Sequence, residues 1–148
     1  MDATLLNNRV LCLDYGDKRI GMAVSDDLRL TAQSKGVIER KNFKSDITKI
    51  LDVIKTSQIV EIVIGIPRNM NGSLGTQAEK VFDFIEKLKS KIDIPVYQWD
   101  ERLSSSAVEK VLIQAKVRRK KRKKVIDQMA AQYILQGYLD HKKLSIHN

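Results

Sequence analysis

The sequence is poor in the residues that most enzyme chemistries need. Histidine occurs twice, at His141 and His147 near the C-terminus. Ser–His and Cys–His nucleophilic catalysis and histidine-based zinc sites therefore have little to draw on. The single cysteine, Cys12, excludes an internal disulfide and a cysteine-rich zinc site, suits a reducing compartment, and reads as a small buried apolar residue. No G-x-x-x-x-G-K-[ST] or strand-following G-x-G-x-x-G is present, so neither a P-loop nor a dinucleotide site is supported. Aromatic residues make up 5% of the chain. Tyr97 and Trp99 accordingly read as core residues rather than as a surface on which bases stack. No apolar run approaches the ~20 residues that span a bilayer. Met1 to Leu6 has neither the charged nor the apolar segment of a secretory signal. The expectation is a soluble cytoplasmic protein with no membrane partner.

What is abundant is positive charge, and it is concentrated. The 148 residues carry 27 Lys and Arg against 18 Asp and Glu, a formal charge of +9. Lys116 to Lys124 reads K-V-R-R-K-K-R-K-K, with eight basic residues in nine positions; without those eight, the chain has 19 basic against 18 acidic residues. Such a run repels itself and stays solvated. No acidic run lies beside it, which favours a phosphate-binding arm whose contacts release counterions. The length fits one domain, and 43% apolar residues suffice for its core.

Periodicity gives the element order β-β-β-α-β-α-β-α-α. Val10–Tyr15 and Ile20–Ser25 are strand-like runs around the turn residues Gly16 to Arg19, a hairpin signature. A third strand covers Ala32 to Arg40. Ile47, Ile50, Leu51 and Ile54 fall at helical spacing, with Ser45 the expected N-cap. Ile59–Ile66 is nearly continuous in apolarity, as expected of a strand covered on both faces. Thr76-Gln-Ala-Glu79 has capping-box spacing and opens a helix carrying Ala78, Val81, Phe82, Ile85 and Leu88. Val96–Glu101 gives a fifth strand. A helix carrying Ala107, Val108, Val111 and Leu112 precedes the basic run. A last helix runs from about Lys123 to Asp140, with Ile126, Met129, Ala130, Tyr133, Ile134 and Leu139 as its apolar face, and a frayed tail follows. Three leading strands followed by βα alternation predict one α/β domain with a mixed sheet, parallel in its second half.

The remaining catalytic currency is carboxylates, hydroxyls and cations, which points to metal-dependent phosphoryl chemistry. Asp14 ends an apolar strand on the same face as Cys12, a costly place for a carboxylate without a cation or partner. Asp100-Glu101-Arg102 stands where the fifth strand ends, and ligands collect at the carboxyl ends of parallel strands. Successive side chains alternate, so only one of Asp100 and Glu101 is expected to meet Asp14. Asp127 lies in the first turns of the last helix. Three such carboxylates would suit Mg²⁺ or Mn²⁺, which take oxygen ligands. Lys18 and Arg19 in the hairpin, Arg68 in the loop before the second helix, and Arg102 are candidate phosphate contacts, as are Arg118, Arg119, Lys120, Lys121, Arg122, Lys123 and Lys124.

Four ordered motifs carry a family resemblance. Leu13-Asp14-Tyr15-Gly16-Asp17-Lys18-Arg19-Ile20-Gly21 to Asp26 resembles the opening signature of the YqgF (RuvX-like) family. Ile64-Gly65-Ile66-Pro67 with Asn71-Gly72-Ser73 resembles its central loop, and Asp100-Glu101-Arg102-Leu103-Ser104-Ser105 its D-E-R stretch. Arg118 to Lys124 with Ile126-Asp127-Gln128-Met129-Ala130-Ala131 resembles its closing signature. The resemblance spans about residues 9–140. It implies an RNase H-like fold with strand order 3-2-1-4-5 and a bacterial cytoplasmic nuclease, described as a Holliday-junction resolvase and as a processor of the 5′ end of precursor 16S ribosomal RNA. It further implies that Asp14, Glu101 and Asp127 are metal-binding catalytic carboxylates, with Asp100 a rival to Glu101. Where junction resolvases of this fold end the fourth strand in an acid, this chain has Gly65 and Ile66. The expected partner is nucleic acid, precursor rRNA ahead of branched DNA, bound by a monomer or homodimer. A junction resolvase and a non-catalytic RNA-binding assembly factor are the rival readings.

Overall fold

The computed structural model describes residues 8–69, 71–101 and 129–142. Its elements are β1 (Arg9–Tyr15), β2 (Arg19–Ser25), β3 (Ala32–Glu39), α1 (Phe43–Thr56), β4 (Ile59–Ile66), α2 (Thr76–Lys89) and β5 (Val96–Asp100), with a helix over 129–142, here α3. The five strands form one sheet in the order β3-β2-β1-β4-β5, the order implied by the resemblance. β1 and β2 are antiparallel, as are β2 and β3, whereas β1, β4 and β5 run parallel. The carboxyl ends of those three strands therefore meet at one edge.

Strand alternation divides the core in two. Leu11, Leu13, Ile62 and Ile64 face α1 and α2, where they meet Ile47, Ile50, Val81, Phe84, Ile85 and Leu88. Val10, Cys12 and Val63 face α3, against Ala131, Ile134, Leu135 and Tyr138. Burial on both sides explains why β1 and β4 lack the polar alternation of a half-exposed strand. The β2–β3 ladder slips between Met22 and Ala23, whose partners are Gly36 and Ser34. Gly36 has φ +94°, which a residue without Cβ adopts at little cost, so the extra residue forms a bulge in the edge strand.

Both expected N-caps lie elsewhere. Asn42, not Ser45, caps α1, its side-chain oxygen accepting from Ser45 N at 2.8 Å. Gly75 occupies the α2 cap without a side-chain bond, and Thr76 is already helical. In the first case an Asx residue three positions earlier captured the amide; in the second the residues with capping-box spacing fell inside the helix. β5 stops at Asp100 rather than Glu101.

α3 extends to residue 142, past the expected end at Asp140. Its buried stripe includes Ala131, Leu135 and Tyr138, while Tyr133 is only partly covered. Two glutamines one turn apart tie it to the edge strand. Gln132 Nε2 donates to Ala32 O at 3.1 Å, and Gln136 Oε1 accepts from Ala32 N at 3.0 Å. Further along, Tyr138 Oη donates to the buried carboxylate of Glu61, which also meets Arg29 Nη1 at 3.3 Å. Partnering on both sides is what makes a buried charge tolerable there. The expected helix around Ala107–Leu112, the start of the last helix and the tail after residue 142 lie outside the described residues.

Candidate active site

The site begins with a parity argument. Asp14 follows Leu13, which pairs with Ile64 of β4, and it shares a strand face with Cys12 beneath α3. On β4 the residue at that level is Gly65, paired in turn with Trp99 of β5. Two residues beyond Trp99, Glu101 returns to the same face. Neighbouring strands stand about 4.8 Å apart, so the first and fifth strands are separated by nearly 10 Å with β4 between them. A side chain on residue 65 would fill that gap. Gly65 leaves it open: a Cβ built there would lie 3.1 Å from Glu101 Cγ and 2.9 Å from Ile134 Cδ1. Glu101 thus lies over the fourth strand, walled by Ile134.

The electrostatics match the geometry. Glu101 is pushed up from 4.5 to about 7, first by burial, then by the charge of Asp14, then by that of Asp100. The Cys12 thiol is raised well above its usual value, by burial foremost and then by Asp14 and Glu101. Two carboxylates and a thiol therefore lie close enough to feel one another's charge, and like charges there disfavour a second ionisation. Among the described residues no group of three His, Cys, Asp or Glu side chains is spaced to hold a metal ion. Asp127, the third carboxylate expected from the sequence, lies outside the described residues, as do Arg102 and the run Arg118, Arg119, Lys120, Lys121, Arg122, Lys123 and Lys124.

Asp100 points to the opposite face, and Arg68 Nε lies 3.9 Å from its Oδ2. Arg68 Nη1 also donates to Gly72 O at 3.0 Å. The loop it closes is tied internally: Asn71 Oδ1 accepts from Ser73 N at 3.0 Å and Asn69 Nδ2 donates to Ser73 Oγ at 3.0 Å. Arg68 is thus at the site's edge and partly committed to fixing its loop. Lys18 is exposed in the β1–β2 turn. Arg19 stands beside it, with Nε 3.0 Å from Glu39 Oε1.

Gly65 acts through its missing side chain, which only a knowledge of strand register makes meaningful. Arg40 was not a candidate from sequence either. Its Nη1 donates to Gly16 O and Asp17 O, both at 2.9 Å, and its guanidinium lies 4.4 Å from the Tyr15 ring centroid. Tyr15 stacks on Phe84 with centroids 4.4 Å apart. Arg40 and Phe84 therefore sandwich the residue that follows Asp14, and fix the turn after it. The donor and its acceptors are 23 and 24 residues apart, so no local signal announces the contact. Tyr97 departs from its expected core position: it is 43% exposed, whereas Trp99 does pack against the α3-side core. No helix among the described residues is long and apolar enough to cross a membrane.

Comparison with known proteins agrees with this architecture. A family described as "RuvX: Holliday junction resolvase" matches residues 8–141. A protein of Desulforamulus reducens named "Putative pre-16S rRNA nuclease" is 55% identical over 132 residues, covering 89% of this chain and 96% of its own. A protein of the same name from Clostridioides difficile is 53% identical over 138 residues, covering 93% of this chain and 98% of its own. Among solved structures, Thermus thermophilus RuvC in complex with a Holliday junction substrate superposes with a TM-score of 0.53 at 14% identity, covering 91% of this chain and 95% of that one. That likeness shows an RNase H-like fold. With the family matched over nearly its whole length and relatives above half identity, the chain belongs to the RuvX family of nucleases, hydrolases of phosphodiester bonds.

Proposed function

We propose that this protein is a divalent-metal-dependent nuclease, built as a single RNase H-like domain, that processes the 5′ end of precursor 16S rRNA in the cytoplasm. The observation that carries the metal-dependent part is the meeting of Asp14 and Glu101 on one face across Gly65. Carboxylates brought together in a poorly solvated place repel each other, and a cation relieves that repulsion. The donor set is all oxygen, which suits Mg²⁺ or Mn²⁺. Asp14, Glu101 and Asp127 are the residues that would hold the ion, with Asp100 next to them. When bound, the ion would supply polarisation of the scissile phosphate and charge neutralisation around it.

The protein's own residues do the rest. Without the ion Glu101 is raised to about 7, so near neutral pH it holds a proton that binding of the ion would displace. The hydrophobic wall of Ile134 limits water on one side. Lys18, Arg19, Arg68, Arg102 and the run from Arg118 to Lys124 would neutralise substrate phosphates. The rRNA assignment draws on the names of relatives at 53–55% identity.

The family description favours a second reading, cleavage of four-way DNA junctions. Two-fold junctions call for a two-fold dimer. One experiment separates the readings: precursor 16S rRNA and a four-way DNA junction are each incubated with wild type and Asp14→Asn, with Mg²⁺ or Mn²⁺. Cleavage of the rRNA alone, lost in the variant, is the expected result. Cleavage of the junction alone supports the resolvase. Binding without cleavage, indifferent to Asp14→Asn, leaves an RNA-binding assembly factor.

A further inference from the structure

Tyr97, Trp99 and Glu101 stand two residues apart along one strand and its end, so their side chains share a face. Trp99 and Glu101 border Gly65; Tyr97 lies further back, level with Val63. β5 is the last strand of the sheet. Tyr97 is the one aromatic among the exposed large apolar side chains of the described residues. A cation already uses its ring: Lys142 Nζ lies 5.0 Å from the Tyr97 centroid and 5.5 Å from that of Tyr138. Trp99 fills the space between Tyr97 and the carboxylates, edge-on to Tyr138 at 6.0 Å and 5.3 Å from His141. The carboxylates therefore sit at one end of a stripe whose other end is an exposed ring with a lysine over it.

A ring face beside a lysine suits an unpaired base and its phosphate. Every base has a face that stacks on an aromatic side chain, and the adjoining phosphate takes the cation. A flexible lysine stem lets the ammonium shift from ring to phosphate. Tyr97 and Glu101 are four residues apart, about 13 Å along a strand. A bound single strand covers that distance within the ~4–16 nucleotides typical of stacking sites. Paired bases, in contrast, keep their faces within the helix.

We infer that Tyr97 is a stacking platform for an unpaired base of single-stranded RNA flanking the phosphate at Asp14 and Glu101, with Lys142 taking the neighbouring phosphate. The inference rests on the nuclease reading and narrows it: the substrate is single-stranded on the β5 side of the cut.

Trp99 is the sole tryptophan of the chain, which makes its fluorescence a reporter at the platform itself. The full-length protein is titrated, without divalent cation, with a single-stranded oligoribonucleotide of about 12 nucleotides and with its blunt duplex. The single strand is expected to change Trp99 emission. Tyr97→Ala is expected to weaken single-strand binding roughly tenfold, while Tyr97→Phe, which keeps the ring, binds like wild type. Lys142→Ala is expected to lower the salt slope by about 0.7. Equal single-strand affinity in Tyr97→Ala and wild type overturns the inference, as does an equal loss of duplex binding. A wild-type dimer that Tyr97→Ala dissociates also overturns it, assigning the ring to a second copy. A cleavage assay with Mn²⁺ on wild type, Asp14→Asn and Tyr97→Ala, run beside the titrations, keeps the two readings apart. Tyr97 dependence without metal-dependent cleavage removes the nuclease and leaves the platform; cleavage without Tyr97 dependence does the reverse.

Discussion

Gly65 makes room for Glu101: the glutamate's Cγ lies 3.1 Å from where a Cβ on residue 65 would stand. Ile134 Cδ1 is closer still, at 2.9 Å. Gly65→Ala must therefore displace both a candidate catalytic carboxylate and a core methyl. Overpacking of this kind costs about 1–3 kcal/mol, and a shift of a few tenths of an ångström at Glu101 is expected to lower the cleavage rate by less than the roughly hundredfold of a 1 Å misplacement. Ile134→Val in the same background removes the crowding methyl without freeing Glu101. The double variant is expected to regain thermal stability relative to Gly65→Ala but not cleavage rate. Recovery of both would show that Gly65 serves packing only.

Short apolar runs made the strands legible before any coordinates, and the two-faced burial of β4 followed from its nearly continuous apolar run. Asp14 stood out because a carboxylate ending a run of Val and Leu needs a reason. The choice between Asp100 and Glu101 was less legible. Parity said that only one could face Asp14, and which one depended on the register of β5 against β4. Ser45 and Thr76 misled because several polar residues compete for one helix start, and the winner is set by where the preceding loop delivers the chain. Arg40 was invisible for a simpler reason: its contacts with Gly16, Asp17 and Tyr15 exist only after β3 has crossed back beside β2.

Glu101 also sets a pH dependence of stability. Its folded-state value near 7 lies above the 4.5 of the unfolded chain, so between those values the folded protein holds the proton more tightly. The stabilisation is complete below about pH 4.5 and is lost as pH rises through 7. Its full size is on the order of 3 kcal/mol. Without divalent cations, the melting temperature is expected to be lower at pH 8 than at pH 5.5, and Glu101→Gln is expected to flatten that difference. At the proposed site Mn²⁺ would stabilise the ionised pair, so it is expected to raise the melting temperature more at pH 8 than at pH 5.5. Equal Mn²⁺ effects at both pH values would argue against these carboxylates as its ligands.

Asp14→Asn separates function from stability by sign. Removing that charge lowers the cost of ionising Glu101, so the metal-free variant is expected to be more stable than wild type at pH 8, by about 1 kcal/mol. Cleavage is expected to fall at least about a hundredfold, because a proposed ligand for the cation is gone. Chemical denaturation at pH 8 and at pH 5, beside a cleavage assay, reads both. A variant destabilised equally at both pH values would show that Asp14 holds the fold rather than the reaction.

The basic run is proposed to act on binding rather than on chemistry. Replacing Arg118, Arg119, Lys120 and Lys121 by Gln removes charges that no acidic segment nearby offsets. Each phosphate left without its cation lowers the slope of log affinity against log salt by about 0.7 for a single strand and 0.9 for a duplex. The variant is expected to bind RNA more weakly at low salt and to converge with wild type as salt rises. Its KM is expected to increase while kcat stays within about twofold, since the proposed catalytic carboxylates are untouched. Parallel salt slopes for variant and wild type would mean that the run does not meet the phosphates. A fall in kcat with KM unchanged would instead place it at the transition state, as a phosphate clamp closing on the carboxylate pair.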